Sequence, residues 1–190
     1  QRMKFLNKVF FMISIPFLSA CAANIDDYVD VKPELDLSVF FNGHLEAYGI
    51  IQDFKGKVKR RFTADILGEW SGDSGVLDEK FIFDDGELQH RCWKLRKSGR
   101  DYQGTAGDVI GKAQGKVAGN ALNWKYVLKI PVDGKDWEVS LNDWMYLVDE
   151  NNLINRATMS KFGLELGQVT LYIRKVSDQA HRSLTPNCKT

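Results

Sequence analysis

The stretch Leu122-Asn123-Trp124-Lys125-Tyr126-Val127-Leu128-Lys129-Ile130 sets large apolar side chains two residues apart, with Asn, Lys, Val and Lys between them. Successive side chains of an extended chain point to opposite faces, so this stretch presents one apolar and one mostly polar face, as a half-buried strand does. The same period runs through Phe62, Ala64, Ile66, Gly68 and Trp70, through Trp137, Val139 and Leu141, and through Val169, Leu171 and Ile173. Turn-forming clusters separate these runs: Lys55-Gly56-Lys57, Gly72-Asp73-Ser74-Gly75, Asp84-Asp85-Gly86, Ser98-Gly99-Arg100, Asp133-Gly134 and Asp149-Glu150-Asn151-Asn152. No segment carries a long apolar face at helical spacing. About nine strands at ~10-residue spacing predict an all-β domain, an antiparallel up-and-down meander that closes as a barrel, with a two-sheet sandwich as the alternative.

Between Thr105 and Ala121 every second residue is small or β-branched: Thr105, Gly107, Val109, Gly111, Ala113, Gly115, Val117, Gly119 and Ala121. A strand face without bulk bends sharply, admits a neighbour's ring, or leaves empty volume in the barrel. Either Trp124 and Tyr126 of the following strand fill the space, or the lumen stays open for a ligand. In the second case Trp124, Tyr126 and Trp144 would line it beside Gly111 and Gly115. Asp143-Trp144-Met145 and Asn155-Arg156-Ala157-Thr158-Met159 mix charge with apolar residues inside strand-like runs. Asp143 and Arg156 are therefore read either as a buried ion pair or as anchors for a polar head group.

The first residues have a different character. Lys4 and Lys8 precede an apolar run from Val9 to Leu18, too short to span a bilayer, which ends in Leu18-Ser19-Ala20-Cys21. This looks like a bacterial lipobox. It implies a signal peptide over residues 1–20, starting at Met3 or at Gln1, and cleavage before Cys21. Diacylglycerol on the Cys21 thiol and an acyl chain such as palmitate on its amino group would then hold the protein on a membrane. Ala22 after the cysteine implies the periplasmic side of the outer membrane. The chain then divides into residues 21–38, an acylated N-terminus and polar tether rich in Asp and Glu, a barrel domain over 39–176, and a polar tail over 177–190.

Residues 1–20 hold Arg2, Lys4 and Lys8 and no acid, so the mature 170 residues carry 23 basic and 25 acidic side chains, a net −2. That balance gives no electrostatic case for nucleic acid, and the one basic run, Lys55-Lys57-Lys59-Arg60-Arg61, reads as a solvated strand edge. Gly72-Asp73-Ser74-Gly75 matches a protease nucleophile string, but His44 has none of the surroundings of its base. Gly107-Asp108-Val109-Ile110-Gly111-Lys112 has three residues rather than four between its glycines and no Ser or Thr after Lys112, so it fails as a phosphate loop. His44, His90 and His181 lie in unrelated segments. Cys92 and Cys188 lack metal-ligand spacing, so no metal, cofactor or enzymatic constellation is expected. In an oxidising compartment Cys92 and Cys188 either form a disulfide that pins the tail or stay as two free thiols.

Several motifs resemble a family of uncharacterised bacterial lipoproteins, domain-of-unknown-function family 3833. They are Phe40-Phe41-Asn42-Gly43, Arg60-Arg61-Phe62, Gly68-Glu69-Trp70, Leu77-Asp78-Glu79, Trp93, Gly104-Thr105-Ala106-Gly107-Asp108-Val109, Gly119-Asn120-Ala121, Asp143-Trp144-Met145 and Asn155 through Gly163. The resemblance runs from about Val39 to Lys175 and implies a lipocalin-like β-barrel lipoprotein. Gly68-Glu69-Trp70 also resembles the G-x-W of lipocalins, whose tryptophan packs on a late basic residue, here Arg174. Two functions fit these observations. One is a membrane-anchored barrel that binds or carries a small apolar or amphipathic, lipid-like molecule. The other is a structural or assembly lipoprotein with a solid barrel that docks an envelope protein.

Overall fold

A computed structural model describes residues 22–177 and 185–188; the expected signal peptide and Cys21 lie outside the described residues. Ten strands follow in chain order: β1 (Gly43–Asp53), β2 (Val58–Ser71), β3 (Ser74–Phe83), β4 (Leu88–Ser98), β5 (Asp101–Thr105), β6 (Ala113–Ala118), β7 (Ala121–Val132), β8 (Lys135–Asp149), β9 (Asn152–Lys161) and β10 (Leu164–Lys175). Each pairs antiparallel with the next, and β10 returns to β1, Leu171 opposite Gly49 and Ile173 opposite Ala47. The result is the closed up-and-down barrel that the alternation predicts.

The Thr105–Ala121 stretch is not one ribbon. Strand β5 ends at Thr105, residues 106–112 loop out, and only Ala113–Ala118 rejoin the sheet. Because β5 and β6 are short, the first half of β4 and the second half of β7 have no ladder between them. The loop fills that gap: Ile110 N–H donates to the Val127 carbonyl at 2.9 Å and Lys129 N–H to the Asp108 carbonyl at 2.8 Å. Gly111 stands in this loop at φ 68°, outside any strand, so it lines no lumen.

One end of the barrel is plugged by the residues just before β1. A single helical turn, α1 (Leu37–Phe40), is capped by Asp36, which accepts from Ser38 N–H and Oγ and also holds Lys97 Nζ at 2.5 Å and Tyr102 OH at 3.1 Å. Leu35, Leu37, Phe40 and Phe41 thereby sink into a core with Leu45, Ile66, Leu77, Trp93, Tyr102, Leu122 and Leu153. The Phe41 carbonyl lies directly over Gly68, where a Cβ would stand 1.8 Å from its oxygen. Residues 22–36 are not the extended tether expected. A 3-10 turn, Ile25–Tyr28, packs on the outer wall of this end, with Asp26 paired to Arg100 at 3.0 Å and Lys116 at 3.5 Å. Tyr28 rests against the rings of Trp144 and Tyr146. Of the acids that should have kept the segment in solvent, Asp26 and Asp36 instead meet bases on the barrel, while Glu34 pairs with Lys32 within the segment.

Candidate functional site

Inward-facing side chains follow the phase of each strand, and that phase brings five polar groups to one level inside the barrel. They are Glu79 on β3, Arg91 on β4, Tyr126 on β7, Asp143 on β8 and Asn155 on β9; Asp108 joins them from the 106–112 loop. Arg91 grips Asp108 with two prongs, Nε at 3.0 Å from Oδ1 and Nη2 at 2.7 Å from Oδ2, and its Nη1 lies 3.9 Å from Glu79 Oε2. Trp93 donates to Glu79. Asp143 accepts from Asn155 Nδ2 and from Tyr126, and among the described residues the cation acting on it is Arg91, which is bonded to Asp108. Three carboxylates thus share one guanidinium, a charge excess that the barrel interior does not solvate as water would.

The electrostatics follow from that arrangement. Burial pushes the Glu79 carboxyl up to about 7, with the Arg91 charge opposing it. Burial likewise pushes Asp143 up to about 7 against the Asn155 hydrogen bond, the Arg91 charge and the Tyr126 hydrogen bond. The Tyr126 phenol lies well above its usual range through burial and the Asp143 charge. Burial disfavours the Arg91 cation, but hydrogen bonds to Asp108 and the Glu79 charge outweigh it and hold Arg91 firmly protonated. Two carboxyls poised to gain or lose a proton near neutrality therefore sit beside a fixed cation.

The cluster lies at a boundary. Toward the plugged end, inward side chains such as Leu45, Tyr102, Leu122 and Leu153 are at most 1% exposed. Toward the other end a smaller buried cluster, Leu128, Val139, Leu141 and Ala157, adjoins Ile51, Phe81, Met159, Val169 and Leu171, which face inward yet are only half-buried. Glu79 and Arg91 keep 13% and 16% of their side-chain surface open, so solvent reaches the edge of the cluster.

The expected site residues divide on this geometry. Tyr126 and Asp143 are brought together. Trp124 also points inward, but its ring lies in a slot over Gly104 and Gly115, where added Cβ atoms would stand 2.9 Å and 2.5 Å from it. Gly115 is therefore filled by Trp124 rather than bordering empty volume. Trp144 and Arg156 are not lumen residues. They face each other across β8 and β9 on the outer surface, Trp144 under Tyr28 and Arg156 bonded to Gln168 at 2.7 Å. Asp143 and Arg156 form no ion pair, since the two side chains lie on opposite faces of the sheet, and only Asp143 faces the interior. Arg174 points outward to Glu46 at 2.7 Å, while Trp70 packs edge-on to Tyr102. Cys92, on the outer face, is joined to Cys188 with Cα atoms 5.7 Å apart, and the adjoining Asn187 N–H donates to buried Asp78 at 2.8 Å. Glu79, Arg91 and Asp108 did not stand out in the sequence. The phase was present for two of them, since Leu77, Glu79 and Phe81, like Arg91, Trp93 and Leu95, alternate on one face.

With this geometry in hand, comparisons place the chain among known proteins. Among curated proteins none matches the sequence. A protein of Nostoc punctiforme from the DUF3598 family, of unknown function, shares the fold at a TM-score of 0.56 and 11% identity, over 76% of this chain and 51% of its own; the barrel thus spans about half of that protein. An S-type phycobiliprotein lyase, CpeS, from Guillardia theta is similar at a TM-score of 0.53 and 9% identity, over 75% of this chain and 94% of its own. At these identities the likeness is one of fold alone. The family described as proteins of unknown function, DUF3833, matches residues 15–175, and the chain belongs to it.

Proposed function

We propose that this DUF3833 protein is a membrane-anchored lipoprotein whose barrel binds a small amphipathic molecule in its open half. The polar end of the ligand meets Glu79, Arg91 and Asp143, and its apolar part lies against Ile51, Phe81, Met159 and Val169. The observation that carries this reading is the buried charge cluster, slightly open to solvent, beside inward apolar side chains that are only half-buried. A charged group inside a barrel is expensive unless something compensates it, and a ligand head group is one such compensation. A solid structural barrel would bury all its inward side chains; the open half buries Phe62, Leu128, Val139 and Leu141 but leaves Ile51, Phe81, Met159 and Val169 half-buried. The similarity to a phycobiliprotein lyase supports the reading only in that a lyase is built on the same barrel. Anchoring rests on the lipobox: Cys21→Ser is expected to abolish palmitate labelling and membrane retention, and persistence of the label would remove Cys21 from the account.

The lumen is tested with an environment-sensitive fatty probe added to the full mature chain. Low-micromolar binding is expected, about −8 kcal/mol. Because carboxylates outnumber the guanidinium, an alkyl amine should compete for the lumen better than a fatty acid of equal length. Val169→Trp fills the open half and should abolish binding while strand content and melting remain. Undiminished binding by that variant, or none by the wild type, defeats the lumen reading.

A further inference from the structure

Five hairpins form the open end of the barrel, and each carries an exposed large apolar side chain. Phe54 stands between β1 and β2, Leu88 after the β3–β4 turn, Ile110 in the 106–112 loop, Val132 at the β7–β8 turn, and Phe162 and Leu164 at the β9–β10 turn. The four hairpin turns of the plugged end carry Gly72-Asp73, Gly99-Arg100, Gly119-Asn120 and Glu150-Asn151 instead. At the plugged end exposed apolar residues such as Val39 and Val148 are aliphatic and lie off the hairpin tips, whereas at the mouth every tip carries one, two of them Phe.

Phe162 is the most telling of the six. It is 93% exposed, and its φ is 52°, followed by Gly163 at 77°. The β7–β8 turn has the same geometry with Asp133 at 49° and Gly134 at 75°. Both central positions of such a turn suit Asn, Asp or Gly, and a bulky residue there is disfavoured. An aromatic side chain that strains its own turn and packs against almost nothing within the molecule is placed for contact outside it. Basic groups accompany the rings: Lys161 Nζ lies 5.0 Å from Phe162 and 4.8 Å from Trp137, and Lys55 Nζ 5.5 Å from Phe54. Aromatic rings beside lysines whose stems lie along apolar surface are the equipment of a membrane–water interface.

We propose that the mouth of the barrel is a bilayer-docking surface, its five tips entering the headgroup layer with the lumen opening between them. The arrangement favours lipid over a protein partner. The apolar residues are separate tips around an opening, spaced by charged side chains, whereas a protein interface requires a contiguous close-packed centre. Fluid lipid fills the spaces between tips. On the lumen reading, an amphipathic molecule would also pass from bilayer to barrel without its tail crossing water. The position of the N-terminus identifies which bilayer. Ala22–Asn24 span only ~10 Å before the turn Ile25–Tyr28, which is fixed to the wall of the plugged end. Strands of up to 15 residues, tilted as in closed barrels, make the barrel roughly 30 Å long. A chain held by acyl groups on Cys21 therefore aims its mouth away from its own membrane, toward a second one.

The test uses the full mature chain carrying Cys21→Ser, so that no acyl chain contributes, floated with phosphatidylethanolamine–phosphatidylglycerol vesicles and no added ligand. Co-flotation is expected. Phe162→Asn installs a residue suited to the turn, so the fold is at least as stable, and vesicle affinity should fall about tenfold, the scale of one aromatic side chain returned to water. Adding Leu164→Ser should lower it by a further order of magnitude or so. Failure of the parent to float, or equal flotation of the double variant with unchanged melting, overturns the proposal. A rim-dependent protein partner found in place of vesicle binding overturns it too. Probe binding in the absence of vesicles tests the lumen separately, so either reading can fail alone.

Discussion

The two halves of the barrel are built from the same strands and the same alternation, yet they solve opposite problems. In the plugged half the inward positions carry Leu45, Ile66, Tyr102, Leu122, Trp124 and Leu153, and α1 seals them from above. Interior packing there reaches the point at which Gly104 and Gly115 exist only because the Trp124 ring occupies the space of their side chains. In the open half the same phase delivers Glu79, Arg91 and Asp143, and the apolar residues beyond them are mixed, Leu128, Val139 and Leu141 buried but Ile51, Met159 and Val169 only half-buried. The larger apolar core lies in the first half, and the buried charges lie where it gives way to the second. A closed sheet permits this division because hydrogen bonding around the ring does not depend on what fills it.

The comparison is broken most directly by truncation. Trp124→Ala removes a ring that packs on Gly104, Gly115 and Trp93 and should cost ~3–5 kcal/mol, whereas Met159→Ala in the open half should cost only ~1 kcal/mol because solvent already reaches the site. Chemical denaturation of both variants at one pH provides the check. Equal losses would mean that the open half is packed as tightly as the plugged one.

A second test concerns pH. Glu79 and Asp143 have folded values near 7, above the ordinary carboxyl range, so between about pH 4 and 7 the folded state holds more protons than the unfolded chain. Their contribution to stability is thus greatest below pH 4, falls as pH rises to 7, and is level above that. Glu79→Gln or Asp143→Asn should flatten this slope and leave each variant up to ~3 kcal/mol more stable than wild type at pH 8, with little difference at pH 4.5. A wild-type slope that neither substitution alters would place the titrating groups elsewhere. Loss of probe binding in the same variants would tie the destabilising carboxyls to the ligand.

Much of the fold was legible because period-two alternation is a direct image of a half-buried sheet. The phase of β8, read from Trp137, Val139 and Leu141, already puts Asp143 inside and Trp144 outside. The aromatic character of Trp144 competed with that phase and misled the lumen assignment. Arg156 fails likewise, since Leu153, Asn155 and Ala157 set the inward phase of β9. Asp108 could not have been found, because its contact with Arg91 depends on the path of the 106–112 loop, which no periodicity encodes. The N-terminal acids were misread for a related reason. Asp26 and Asp36 repel each other in isolation, and only the folded barrel supplies Arg100, Lys116 and Lys97 to hold them.

The smallest effect expected is also the most local. Asp36 joins the plug to the wall through Lys97, Tyr102 and the N-terminus of α1. Burial raises its carboxyl, but hydrogen bonds from Lys97 and Ser38 prevail and bring it down to about 2. A depressed carboxyl stabilises above the ordinary value and loses that contribution as pH falls toward the folded one, so the clip holds at neutral pH and weakens only in strong acid. Asp36→Ala should cost ~1 kcal/mol, the scale of a lost cap, without changing the barrel. The readout is amide exchange at Val39, Phe40 and Phe41, whose N–H groups bond to the Asp36 and Leu37 carbonyls. Exchange there should quicken about fivefold while the β7–β8 ladder stays protected, as expected of a plug that opens as its own unit. If the ladder loosened equally, the plug and the plugged half would be one cooperative unit, and the division of labour would run only between that unit and the open half.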